Sequence, residues 1–122
     1  MKTTEYGLFF FPGDRPSMAD ITVDVKKCQK TTDLLHHLGE ALNFPDWYGA
    51  NFDALFDCLC EASGLSCILL SGLANFATRQ PQDFTILLEV LHAACTARAE
   101  AEAPLTIQID TPAANVAPWP DA

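Results

Sequence analysis

Asp46-Trp47-Tyr48-Gly49-Ala50-Asn51-Phe52-Asp53-Ala54-Leu55-Phe56-Asp57-Cys58 is the stretch that decides how this chain is read. It predicts a tight aromatic turn that opens into an amphipathic helix, with Asn51 as the N-cap. Asp53 and Asp57 are four apart and share one helical face, and Glu61 extends the row by another turn. Phe52, Leu55, Phe56 and Leu59 fall at the spacing of a core-facing stripe. Three carboxylates on one exposed face repel each other unless a positive partner arrives.

On the N-terminal side, Tyr6–Phe11 is an apolar aromatic run of strand length that stops at the Pro12-Gly13 turn signal, with a loop over Asp14–Met18. Ile21–Val25 alternates as a half-buried strand does. Thr31-Thr32-Asp33 offers capping chemistry to a helix over Asp33–Leu42, which Phe44-Pro45 stops. On the C-terminal side, Ser63-Gly64 ends the acidic helix. Cys67–Leu70 is continuously apolar, as expected of a central strand covered on both faces. Leu73–Arg79 holds one short helical turn. Pro81 opens a long helix whose buried stripe is Phe84, Leu87, Leu88, Leu91, Ala94 and Cys95, fading near Glu102–Pro104. Leu105–Ile109 is a further alternating strand, and Thr111–Ala122 is a Pro- and Ala-rich tail with Trp119 as its anchor. The order predicts right-handed crossovers and a small parallel sheet packed by helices, with Tyr6–Phe11 added at an edge.

The 122 residues suit one compact domain with its own core. Net charge is −9, and no Lys or Arg occurs from Thr31 to Thr78, where Asp33, Glu40, Asp46, Asp53, Asp57 and Glu61 stand. Such a surface repels nucleic-acid phosphates and anionic lipids and attracts basic proteins. Neither a secretory segment nor a membrane span is read at the N-terminus. The five cysteines are an odd number and read as reduced, which points to the cytoplasm. Cys58 and Cys60 diverge by about 200° on a helix, so they do not chelate one ion.

The string from Trp47 to Leu59, with Asp33-Leu34, Leu38, Leu42 and Pro45 before it and Cys67–Leu70 after it, resembles the barstar family of intracellular inhibitors of secreted bacterial ribonucleases. The resemblance implies an α/β fold with a three-stranded parallel sheet packed by helices, here with an extra N-terminal strand. It places a barstar-like domain at 19–110, between an N-terminal extension (1–18) and a tail (111–122). It implies that the turn and second helix plug a ribonuclease active site. Asp57 would lie where a substrate phosphate lies, facing catalytic Arg and His residues. Asp53 would pair with a neighbouring basic group, and Trp47 would pack on the enzyme's rim. The partner-binding set is Trp47, Gly49, Asp53, Phe56, Asp57 and Glu61. Three features differ from the family pattern. Glu61 and Ala62 replace a small residue followed by an aromatic, Leu91-His92-Ala93-Ala94 lacks the family's late-helix acid, and the Tyr6–Phe11 run is added. Glu89 lies about one turn from that missing acid.

Other chemistries fit less well. His36 and His37 are adjacent and diverge, and Cys95 falls in an apolar stripe beside His92, where nothing marks a low thiol pKa. Paired carboxylates serve acid–base enzymes, but catalytic ones usually need burial to split their pKa values. No phosphate loop is present, and three acids on a helix surface do not surround a hard cation. No enzyme activity, cofactor, metal, nucleic acid or membrane is therefore expected. The expected function is inhibition of a basic ribonuclease by an acidic helix, as in an immunity protein. The alternative is a barstar-like adaptor that binds a basic protein without inhibiting a ribonuclease.

Overall fold

The computed structural model describes residues 7–11, 19–62, 64–111, 113 and 116–118. Tyr6, the Pro12-Gly13 turn, the loop at Asp14–Met18, Ser63 and Trp119 lie outside them. In chain order the elements are β1 (Gly7–Phe10), β2 (Ile21–Asp24), α1 (Thr31–Ala41), α2 (Phe52–Glu61), β3 (Cys67–Ser71), α3 (Leu73–Arg79), α4 (Pro81–Glu100), β4 (Thr106–Ile109) and β5 (Ala117–Pro118). They form an α/β fold around one five-stranded sheet, ordered β2-β3-β4-β1-β5, in which every pairing is parallel. Two helices intervene between β2 and β3 and two between β3 and β4, as parallel neighbours require.

The expected three parallel strands are β2, β3 and β4, with β2 at one edge of the sheet and Cys67–Leu70 between its two neighbours. The N-terminal strand docks on β4, pairing Gly7 with Thr106 and Phe10 with Ile109. It is not the last strand. The segment read as a tail adds β5 outside it, pairing Phe9 with Ala117. The strand expected at Leu105–Ile109 is present as β4, but without the wet face that alternation implies. With β1 on one side and β3 on the other, β4 is central, and Thr106 and Gln108 are buried along with Leu105, Ile107 and Ile109. Successive strand residues point to opposite faces, so burial of all of them means that the sheet is covered on both sides there.

The helices follow the sequence with instructive exceptions. Leu34, Leu35, Leu38 and Leu42 bury the expected stripe of α1. Its N-cap, however, is Lys30, without a side-chain cap. Thr31 lies inside the helix, and its hydroxyl donates to the Asp83 carboxylate in the first turn of α4, so the capping residues join two helix starts. The stop at Phe44 is a Schellman closure: Asn43 takes φ 59°, its N–H reaches Glu40 O, and Phe44 N–H reaches Gly39 O. Asn tolerates the left-handed region better than most residues, which fits it to this place. Pro81 is at the first position of α4, as expected. On α4, Leu87, Leu91, Ala94 and Cys95 are buried, while Phe84 and Leu88 are half-buried. The segment Leu73–Arg79 forms a seven-residue helix rather than a single turn, and Asp110 caps it through Gly72 N (2.7 Å) and Leu73 N (3.3 Å).

Candidate functional site

The expected N-cap of α2 is present. Asn51 accepts a hydrogen bond from Ala54 N at 2.8 Å. Immediately before it, Ala50 sits in the left-handed region at φ 53°, and Gly49 beside it is exposed. The helix faces the core with Ala54, Leu55, Cys58 and Leu59, while Phe52 and Phe56 are half-buried at its border. Its other face carries Asp53, Asp57 and Glu61, all exposed and one helical repeat apart. Asp53 stands in the first turn, where the helix dipole favours it. Asp57 and Glu61 stand toward the negative end, and α2 has no basic residue in its last turn.

The two aromatics of the turn do opposite things. Tyr48 is a structural lock. Its ring lies against α1 at Gly39, its hydroxyl donates to Leu35 O at 2.8 Å, and it meets Phe44 edge-on at 4.9 Å. Burial pushes its phenol up to about 12, so it stays a neutral donor at ordinary pH. Trp47 is 54% exposed, which leaves its indole on the surface beside an acidic helix.

Among the described residues, a cavity of about 230 Å³ lies elsewhere, lined by Phe84, Thr85, Leu88, Glu89, His92, Ala113 and Val116. Glu89 is therefore turned toward the C-terminal segment. It lies nine residues from Arg98, which at 100° per residue is the opposite side of α4. Arg98 is the side chain that reaches α2, so Glu89 does not extend the acidic face of α2. Cys95 is buried and its thiol is pushed up to about 12, mainly by desolvation, which leaves no activated thiol beside His92. All five cysteines are unpaired in the structure. No group of three His, Cys, Asp or Glu side chains among the described residues is arranged to hold a metal ion. No helix among them is long and apolar enough to cross a membrane.

Sequence reasoning missed Arg98. It is 4% exposed and donates from Nε to Ala103 O (2.7 Å), from Nη1 to Leu59 O (3.0 Å) and Ala62 O (3.1 Å), and from Nη2 to Leu65 O (2.7 Å). The signal was present: Arg98 continues the Leu91, Ala94, Cys95 stripe at helical spacing, so a cation stands where the pattern asks for an apolar side chain.

A search among curated proteins gives no match. A family model described as Barstar (barnase inhibitor) matches residues 18–110. That span takes in β2 through β4, and with them the Trp47 turn and the acidic face of α2. The chain belongs to the barstar family.

Proposed function

We propose that the protein is an intracellular inhibitor of a basic ribonuclease and docks through the Trp47 turn and the acidic face of α2. The observation that carries this reading is the exposed row Asp53, Asp57 and Glu61 beside a solvent-facing Trp47, in a stretch without Lys or Arg from Thr31 to Thr78. A ribonuclease cleft must be basic to hold RNA, and a row of carboxylates can occupy its phosphate sites. Complementary charge speeds encounter and rejects wrong partners, while the aromatic supplies contact area at low entropy cost. The binding residues are Trp47, Gly49, Asp53, Phe56, Asp57 and Glu61. Phe56 contributes from the border of the core. The acids stand on an open helix away from the cavity under α4, which supports a binding protein over an enzyme.

The test is RNA cleavage by barnase, and by any basic ribonuclease retained on the immobilised chain, titrated with the parent and with Asp57→Ala. Asp57 has an acid at i−4 and at i+4, so its removal relieves a few tenths of a kcal/mol per pair in the free chain and leaves Tm equal or higher. In the complex the same change strands buried positive charge, costing roughly 2–5 kcal/mol, a range to which the barstar–barnase complex itself contributes. Inhibition is expected to weaken by orders of magnitude with a flatter salt dependence. Equal inhibition by Asp57→Ala, or an unfolded variant, removes α2 as the docking face.

A second reading, an adaptor that binds a basic protein without blocking a ribonuclease, is favoured by one observation. The late-helix acid is missing and Glu89 is turned to the other side of α4. A partner that binds at α2 while retaining full nuclease activity selects this reading.

A further inference from the structure

The buried guanidinium of Arg98 is an expensive group to place in a core, because a desolvated charge needs several partners to be tolerated. Its partners are backbone carbonyls grouped at one place. Leu59, Ala62 and Leu65 are the last turn of α2 and the bend that follows it, and Ala103 is the closure of α4 itself. The clasp is two-way at Ala103, whose N–H returns to Arg98 O at 2.9 Å. Carbonyls at a helix end carry the negative pole of the dipole, and α2 brings no cation of its own to that end while adding Asp57 and Glu61. The half-buried Cys60 lies in the field of all three charges: burial raises its thiol, Asp57 raises it further, Arg98 lowers it and Glu61 raises it.

We propose that Arg98 is a positioning residue of the docking face: from the core side it clasps the carbonyl end of α2 and offsets the negative charge that Asp57 and Glu61 place there, so the turn carrying them stays helical before any partner arrives. This rests on the reading of α2 as the docking face, and it adds how a repelling row of acids is held in shape without a partner. The offset is delivered from behind. A cation on the acidic face itself would neutralise the row toward a basic partner, whereas a buried one leaves the carboxylates free to meet it.

The test uses the whole free chain, so it fails separately from the barnase titration. Backbone hydrogen exchange is measured by NMR in the parent, Arg98→Met, Arg98→Lys, Glu61→Gln and the corresponding double variants, at low and high salt. Arg98→Met is expected to speed exchange at Cys58–Ala62 by about tenfold or more relative to Leu34–Leu38 of α1, as a local opening does. Adding Glu61→Gln, or salt, is expected to recover part of that loss, while Glu61→Gln in the parent changes α2 exchange little. If Arg98→Met does not fold, Arg98→Lys carries the test. It keeps the charge and loses the planar fork, so faster exchange confined to the end of α2, with no rescue by Glu61→Gln, is the expected result. Equal acceleration in α1 and α2, or a Glu61→Gln effect that is the same in Arg98→Met as in the parent, overturns the proposal; in Arg98→Lys, acceleration that is not confined to the end of α2 overturns it.

Discussion

Gly39→Ala tests the lock that sets the aromatic turn against α1. A Cβ at Gly39 would stand 2.5 Å from Tyr48 Cε2 and 2.7 Å from Cδ2. Ordinary carbon contacts begin near 3.5 Å, so the ring must retreat by about 1 Å. That retreat carries the phenol away from Leu35 O, now 2.8 Å distant, and from the edge contact with Phe44 at 4.9 Å. Overpacking of this kind costs about 1–3 kcal/mol. Alanine in place of glycine in the last turn of α1 returns up to about 1 kcal/mol. The net expectation is a loss of about 1–2 kcal/mol, or roughly 3–8 °C in Tm for a domain of this size. Urea and thermal unfolding measure it, with Gly64→Ala as the control because a Cβ added there meets nothing within 4 Å. Tyr48→Phe alone loses a hydrogen bond worth about 1 kcal/mol. Combined with Gly39→Ala its cost should be less than additive, since both changes disturb the same contact. A Gly39→Ala variant as stable as the parent, or more stable, would refute the lock.

Two further outcomes follow from backbone and carboxylate geometry. Glu102 occupies the left-handed position that closes α4, at φ 62°, with Glu102 N bonded to Ala99 O and Ala103 N to Arg98 O, a Schellman ending that favours glycine. Glu102→Gly is expected to stabilise the fold by about 0.5–1 kcal/mol in urea titrations, after relief of left-handed strain is set against the added freedom of the unfolded chain; a destabilised variant would show that the glutamate side chain matters more than its backbone. Asp20 accepts from Ser66 N, Ser66 Oγ and Cys67 N, and these bonds hold its carboxyl below the usual 3.8. A depressed carboxylate stabilises the folded state above its unfolded pKa and loses that contribution as pH falls below about 4. Asp20→Asn should therefore lower stability at neutral pH and shallow the acid limb; an unchanged acid limb would show that the pairing of β2 with β3 does not depend on this charge.

The acidic helix and its turn were legible because their signals are local. Asn51 needs only the amide three residues on, the row Asp53, Asp57 and Glu61 needs only the helical repeat, and Pro81 needs only its missing N–H. The family string added the expectation of a docking face. The split between the two aromatics of the turn is not local: the Leu35 carbonyl of α1, thirteen residues back, takes the Tyr48 hydroxyl, while Trp47 is left to the surface.

The tertiary structure decided what depends on residues far apart in the chain. Alternation in Leu105–Ile109 describes a strand with one wet face, but β1 pairs on the outer side of β4, with β5 beyond it, and Thr106 and Gln108 lie on a sheet covered on both faces. Period alone does not say which strands will be neighbours, because pairing is settled by long-range packing rather than by local conformation. The same holds for Thr31, whose hydroxyl serves Asp83 fifty-two residues away instead of capping its own helix. It holds for Gly39, which is a glycine because an aromatic ring from the next segment lies where a side chain would be. It holds most for Arg98. The sequence places a cation on an apolar stripe, and only the fold supplies the carbonyl end of α2 that makes a buried guanidinium tolerable.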